Sequence, residues 1–310
     1  MSGAGEVVLG WIREGWDVIA SIAPRAWTYW IHGNPGTTFG SILLLSVLTL
    51  GIDVATHGRW RRYFSHAAFT DVLYAVFYLA GFYAVLVLLP LRSLDPLADR
   101  YLGFLKLGLI EPWPLWLQFL VFTVLLDGVQ YGQHRLMHAH RVLWSFHCIH
   151  HSAAHLTPFT KFRYHFVDMG VFSVIKIVPV LILGTPGLVW TAVNLSPVWL
   201  QALAHADLGW TFGPLEKVFA SPSFHRLHHS TDPAECHRNF GFIFSFWDHL
   251  FGTAAESRAR PLAYGCSDLH PGESFFGHLV FPFLLLARGR TLGASPELPA
   301  RASVHPSPHP

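Results

Sequence analysis

From Asp71 to Pro90 the chain reads DVLYAVFYLAGFYAVLVLLP, with no charge after its first residue and a proline at its end. Such a run has few places to go. In lipid every backbone amide must be satisfied inside the segment, which leaves the helix as the local solution, so this run predicts a membrane span. Thr38–Ala55 is a second run of spanning length, with Asp53 near its end, and Trp113–Gly132 a third, with aromatic residues where it begins and Asp127 close to its end. Val171–Leu183 and Leu188–Ala204, joined by Gly184-Thr185-Pro186-Gly187, read as a hairpin whose first arm, with Lys176 and Pro179, is either kinked or only partly inserted. Composition agrees, because charged residues are 13% of the chain, about half the ~25% of soluble domains. The predicted fold is an all-α integral membrane protein with about four to five membrane-inserted helices and a cytosolic histidine-rich helical cap.

The predicted organisation is an N-terminal interfacial segment (1–37), with a helix over about Glu6–Ile22, then two membrane helices and a connecting loop (38–112). A catalytic region (113–260) follows and includes the hairpin at about 168–204. A C-terminal interfacial segment (261–294) and a disordered Pro- and Ser-rich tail (295–310) complete it. Arg135, Arg141, Lys161 and Arg163 supply a positive-inside signal that puts 133–167 in the cytosol, and the hairpin returns 205–260 to the same side. Twenty-one basic against nineteen acidic residues create no field for nucleic acid. The basic run Arg59–Arg62 reads as a juxtamembrane anchor. Cys148, Cys236 and Cys266 contain no CxxC, which excludes a thiolate metal cage or a disulfide scaffold.

Histidine is the outlier, at 21 residues, and three clusters hold the informative ones: His134 with His138, His147 with His150 and His151, and His225 with His228 and His229. Helical positions i, i+3 and i+4 share a face, so each cluster aims its imidazoles one way, as metal binding requires. Eight imidazoles exceed the four to six ligands of one ion and imply two ions with positions left open. Asp127, Tyr131, His134 and His138 fall on one helical stripe. An acid inside an apolar span is costly, so Asp127 is expected to hold a histidine of another box by its second ring nitrogen.

These residues resemble the fatty acid hydroxylase and sterol desaturase superfamily of membrane di-iron oxygenases. The resemblance runs in order from Asp127, Tyr131, His134-Arg135 and His138, through Leu143-Trp144, His147, His150-His151-Ser152 and Arg163-Tyr164-His165. It continues through His205-Ala206-Asp207, Ser221-Pro222, His225, His228-His229 and Asn239-Phe240-Gly241 to Trp247-Asp248 and Phe251-Gly252-Thr253, about residues 115–254. Asp207 stands where the family usually has asparagine. The resemblance implies that the eight box histidines ligate two irons and that His205 is an additional ligand. It also implies that His165 supports the site or lines substrate access, and that Asn239, Trp247 and Asp248 brace the last box. The implied chemistry is O2-dependent hydroxylation or desaturation of an unactivated C–H bond of a lipid by a membrane enzyme working on the cytosolic face. Electrons would come from a separate donor, a cytochrome b5-like protein or a ferredoxin with its reductase. Two rivals stand beside it: a membrane zinc or iron transporter, which would place ionisable groups across several spans, and a zinc hydrolase, which would use only half of these histidines.

Overall fold

The computed structural model describes residues 35–58, 60–184, 199–255, 263–266 and 268–288. Among these residues the fold is all-helical, without a strand. The principal helices are α1 (Pro35–His57), α2 (His66–Leu79), α3 (Leu115–Ala139), α4 (Arg141–His151), α5 (Phe166–Ile175), α6 (Ile177–Leu183), α7 (Pro222–His228), α8 (Phe246–Phe251) and α9 (Phe275–Ala287). The interfacial helix expected at 6–22, most of the hairpin's second arm and the C-terminal tail lie outside the described residues.

The long helices are amphipathic in reverse. On α1 the buried positions are Ile42, Ser46, Thr49 and Asp53, one face at helical spacing, while Leu43, Leu44, Val47 and Leu48 are exposed. Ser46 and Thr49 donate their hydroxyls to the carbonyls of Ile42 and Leu45, which lets polar groups sit inside without partners from other helices. On α3 the interior face carries Gln118, Asp127, Tyr131, His134 and His138, and the outer face Trp116, Phe119, Leu120 and Leu125. Two segments, Leu115–Ala139 and Phe166–Leu183, are long and apolar enough to cross a membrane.

Three sequence expectations change. The run Asp71–Pro90 is not one helix. It stops at Leu79, turns through Gly81 at φ 83°, which a glycine tolerates, and resumes as a π-helical turn over Ala84–Leu88. Asp71 itself is fully buried, accepting bonds from Arg163 Nε (2.6 Å), Thr157 (2.8 Å) and Thr160 (2.6 Å), and this clamp ties α2 to the chain following α4. Arg163 and Lys161, counted above as topology signals, are therefore interior. Arg62 is likewise not simply a surface anchor: it bridges Asp53 of α1 and Asp207, whose other oxygen takes Arg226 of α7 at 2.9 Å. In the hairpin's first arm, expected to be kinked or only partly inserted, the helix breaks at Lys176, between α5 and α6. Pro179 has no N–H to offer the Ile175 carbonyl one turn earlier.

Candidate metal centre

α3 and α4 are joined by the single residue His140, whose extended backbone (φ −105°, ψ 117°) ends one helix and starts the next. That tight joint folds His147, His150 and His151 back against His134 and His138. α7 begins at Ser221, whose side chain accepts the Phe224 N–H, with Pro222 in the first helical position, and it presents His225 and His228, followed by His229. His205 closes the helical residues 199–205.

These nine imidazoles divide into two groups. His134, His138, His147, His151 and His228 bring donor atoms within 4.8 Å of one another, and His150, His205, His225 and His229 do the same. Every one of the nine is buried. Adjacent rings connect the groups, with His151 stacked on His229 at 4.5 Å.

Hydrogen bonds assign the tautomers. His134 Nδ1 donates to the Phe240 carbonyl (2.9 Å), His228 Nδ1 to the Arg238 carbonyl (2.7 Å), His147 Nδ1 to the Asp168 carboxylate (2.9 Å) and His205 Nδ1 to the Gln201 carbonyl (2.7 Å). Carbonyl and carboxylate oxygens only accept, so each of these rings carries its proton on Nδ1 and turns a lone pair outward from Nε2. His134 Nε2 and His228 Nε2 then face each other at 3.0 Å, lone pair to lone pair. The Nε2 atoms of His138, His147 and His151 are buried with no partner at all. A cation at that point turns both arrangements from costly to favourable, so the donor set fits a metal ion. In the second group the Nε2 atoms of His150, His205, His225 and His229 approach pairwise at 3.2–3.3 Å. Burial, with repulsion from neighbouring rings, holds His150, His151, His225, His228 and His229 well below the usual imidazole range, and burial pushes His205 down to about 4. Neutral rings at neutral pH are the ligating form.

The supporting residues fall out differently from the sequence expectation. Asp127 does not meet a histidine; its carboxylate accepts the backbone N–H groups of Ile243 (2.9 Å) and Phe244 (3.1 Å), because the loop 239–246 folds across α3. Tyr131 bonds Thr253 (2.8 Å), and Thr253 donates to Asp248 (2.7 Å). Asp248 also accepts the N–H groups of Phe240 and Gly241, fixing the very carbonyl that receives His134. Asn239, in a left-handed conformation (φ 59°), donates to the carbonyls of Phe224 in α7 and Ala255. Trp247 packs on α3 at Gly128, where a Cβ would come within 2.7 Å of its ring. His165 faces neither group: its Nδ1 caps α5 by accepting the Val167 N–H and its Nε2 donates to the Leu279 carbonyl.

Three contributors were given no role in the sequence reading. Asp168 takes the role expected of Asp127, and an acid opening an apolar helix was the available signal. His237 lies 3.2 Å from His138 Nδ1, without any ligand spacing to mark it. Tyr164 stacks on His150 (4.2 Å, 10°) with its hydroxyl 3.3 Å from His150 Nε2.

Beside the histidines lies a cavity of about 610 Å³, within the size range of small-molecule sites. Tyr164 separates it from the four-histidine group, and Phe242, 5.2 Å from the His134 ring, separates it from the five-histidine group. Phe77, Leu126, Phe162, Met169, Phe172 and Val180 contribute to a largely apolar wall.

Residues 119–253 match the fatty acid hydroxylase family. Over that stretch, less than half of its length, the chain resembles the family. Among curated relatives, the ornithine lipid hydroxylase OlsE of Rhizobium tropici is 30% identical over 188 residues, 60% of this chain and 56% of its own. The alkylglycerol monooxygenase of Danio rerio is 30% identical over 213 residues, 66% of this chain and 46% of its own. A very-long-chain aldehyde decarbonylase of Oryza sativa subsp. indica is 24% identical over 174 residues, 51% and 28% of the two chains. The chain thus spans about half the length of the first two of these relatives. No solved structure matches it significantly. The family match contains all nine clustered histidines and the loop that braces them.

Proposed function

We propose that the protein is a membrane di-iron oxygenase that inserts oxygen into an unactivated C–H bond of a lipid. The observation that carries this reading is the division of nine buried imidazoles into a five-donor and a four-donor group against one apolar cavity. Bound iron would supply the reductive activation of O2, with two electrons from a separate donor, for the overall change R–H + O2 + 2e⁻ + 2H⁺ → R–OH + H2O. The chain's own part is to hold and to position. His134, His138, His147, His151 and His228 would hold one ion, and His150, His205, His225 and His229 the other. Asp168, His237 and the carbonyls of Phe240, Arg238 and Gln201 orient their rings. The cavity seats the substrate's hydrocarbon and excludes water from the reacting carbon.

Relatives named hydroxylase and monooxygenase favour hydroxylation over desaturation. The apolar outer faces of α1 and α3 favour a lipid environment, and Arg135 and Arg141, the two of the four positive-inside charges that are not buried, favour a cytosolic histidine cap. A transporter would need ionisable groups strung across the spans. A zinc hydrolase would leave one of the two donor groups without a purpose. Metal analysis of the detergent-purified chain, paired with lipid profiling of cells with and without the gene, tests the reading. Two irons per chain and a newly oxygenated lipid are expected; zinc with an unchanged lipid profile would overturn it.

A further inference from the structure

The cavity is not uniformly apolar. Lys176 stands on its wall at the break between α5 and α6, and one helical turn earlier Ser173 meets the hydroxyl of Tyr83 at 2.7 Å, with both of those residues on the same wall. Among the described residues no carboxylate forms an ion pair with Lys176. Of the acids lining the cavity, Asp127 is engaged by two backbone N–H groups and Asp95 is exposed at the start of its own helix. Lys161 lines the cavity as well. An ammonium group facing a largely apolar cavity is stabilised when an anion joins it, and the Ser173–Tyr83 pair, in which Ser173 also donates to the Met169 carbonyl (3.0 Å), adds polar surface to the wall one helical turn away.

The distance from this pocket to the histidines is short. Lys176 Nζ lies 6.0 Å from the Phe172 ring, Phe172 lies 5.9 Å from Tyr164, and Tyr164 lies 4.2 Å from His150. End to end these contacts reach no more than about 16 Å, the length of an extended alkyl chain of roughly a dozen carbons.

The geometry points to a substrate class: a lipid bearing a phosphate or carboxylate group, held by Lys176, and presented to the histidine centre within about a dozen bonds of that group. This rests on the oxygenase reading for the chemistry but not for the binding. A neutral ether lipid of the same length would leave the ammonium group without a counter-charge. It would also have nothing to fix its position along the cavity.

Binding of three probes to the full-length, metal-containing protein in detergent tests the assignment: hexadecyl phosphate, palmitate and 1-O-hexadecylglycerol. At least one anionic probe is expected to bind about tenfold or more tightly than the glycerol ether, and the tighter of the two identifies phosphate or carboxylate as the natural group. Lys176→Met should erase that preference while leaving the glycerol ether unchanged, and Lys176→Arg should restore it. Unchanged binding of the neutral probe shows that Lys176→Met is folded; if the variant loses all three probes, restoration by Lys176→Arg decides. Equal binding of all three probes by the parent, or an anion preference that survives Lys176→Met, would overturn the proposal. Charge-selective binding by a protein that oxygenates none of the probes would count against the oxygenase reading and leave the binding assignment standing.

Discussion

His147 donates from Nδ1 to the carboxylate of Asp168 at 2.9 Å, and both side chains are completely buried. This pair sends the His147 lone pair toward four other imidazoles and places a negative charge where two cations are proposed to bind. Asp168→Asn keeps an acceptor but removes the charge, so metal affinity is expected to fall about 10–100-fold with the helical content unchanged. Competition with a chelator of known affinity measures it, and a variant that holds metal like the parent would show that Asp168 serves packing alone.

Asp127 should behave differently. It holds the turn at Ile243 and Phe244 rather than a histidine, so Asp127→Asn sets an amide NH2 against one of two backbone donors. The expected effect is a loss of stability of about 1–3 kcal/mol, the cost of an unsatisfied buried group, with metal affinity changed less than in Asp168→Asn. Denaturant titration beside chelator competition separates the two variants, and the reverse order of metal loss would contradict the assignment.

The two proposed ion positions are braced unequally. In the five-histidine group His134, His147 and His228 donate from Nδ1 to oxygen and His138 meets His237, whereas among the described residues of the four-histidine group only His205 has such a partner. Chelation should therefore remove metal in two steps, the first ion leaving from the position of His150, His205, His225 and His229. A single concerted loss of both ions would refute this.

His150→Ala removes one donor of that second group and should cost about one of the two bound ions together with activity. His140→Ala, at the exposed joint between α3 and α4, should cost neither. Metal counting in both variants is the check, and equal loss would mean that the joint, not the donor, sets metal content.

Acid should unfold the metal-free chain. Burial lowers His205 from 6.5 to about 4, so between those values the unfolded chain binds more protons than the folded one. Stability contributed by this neutral histidine is full above about pH 6.5 and is lost progressively as the pH falls toward 4. The other lowered rings of the centre act with the same sign. Melting temperature of the metal-free protein should drop between pH 7 and pH 5, and metal should protect it; a flat profile would argue against neutral buried rings.

The histidine clusters of this protein were largely legible in one dimension. Box spacing put His134 with His138, His147 with His150 and His151, and His225 with His228 and His229 on common helix faces, because helical periodicity is a local property of the backbone. Apolar runs announced helices for the same reason. What spacing could not say is which box histidines would share a donor group: His151 sits with His134 and His228, while its neighbour His150 sits with His205 and His229. That division depends on how α3, α4 and α7 cross. Nor could sequence distinguish Asp127 from Asp168, two acids in apolar helices. One faces a loop 116 residues further on and the other a histidine 21 residues before it, and only the folded backbone brings either partner within reach. Arg163 and Lys161 make the same point, since charges that look like topology signals in a linear count are interior once Asp71 and the cavity wall are in place. Periodicity is encoded over a few residues, whereas the partner of a buried charge is decided by contacts across the whole chain.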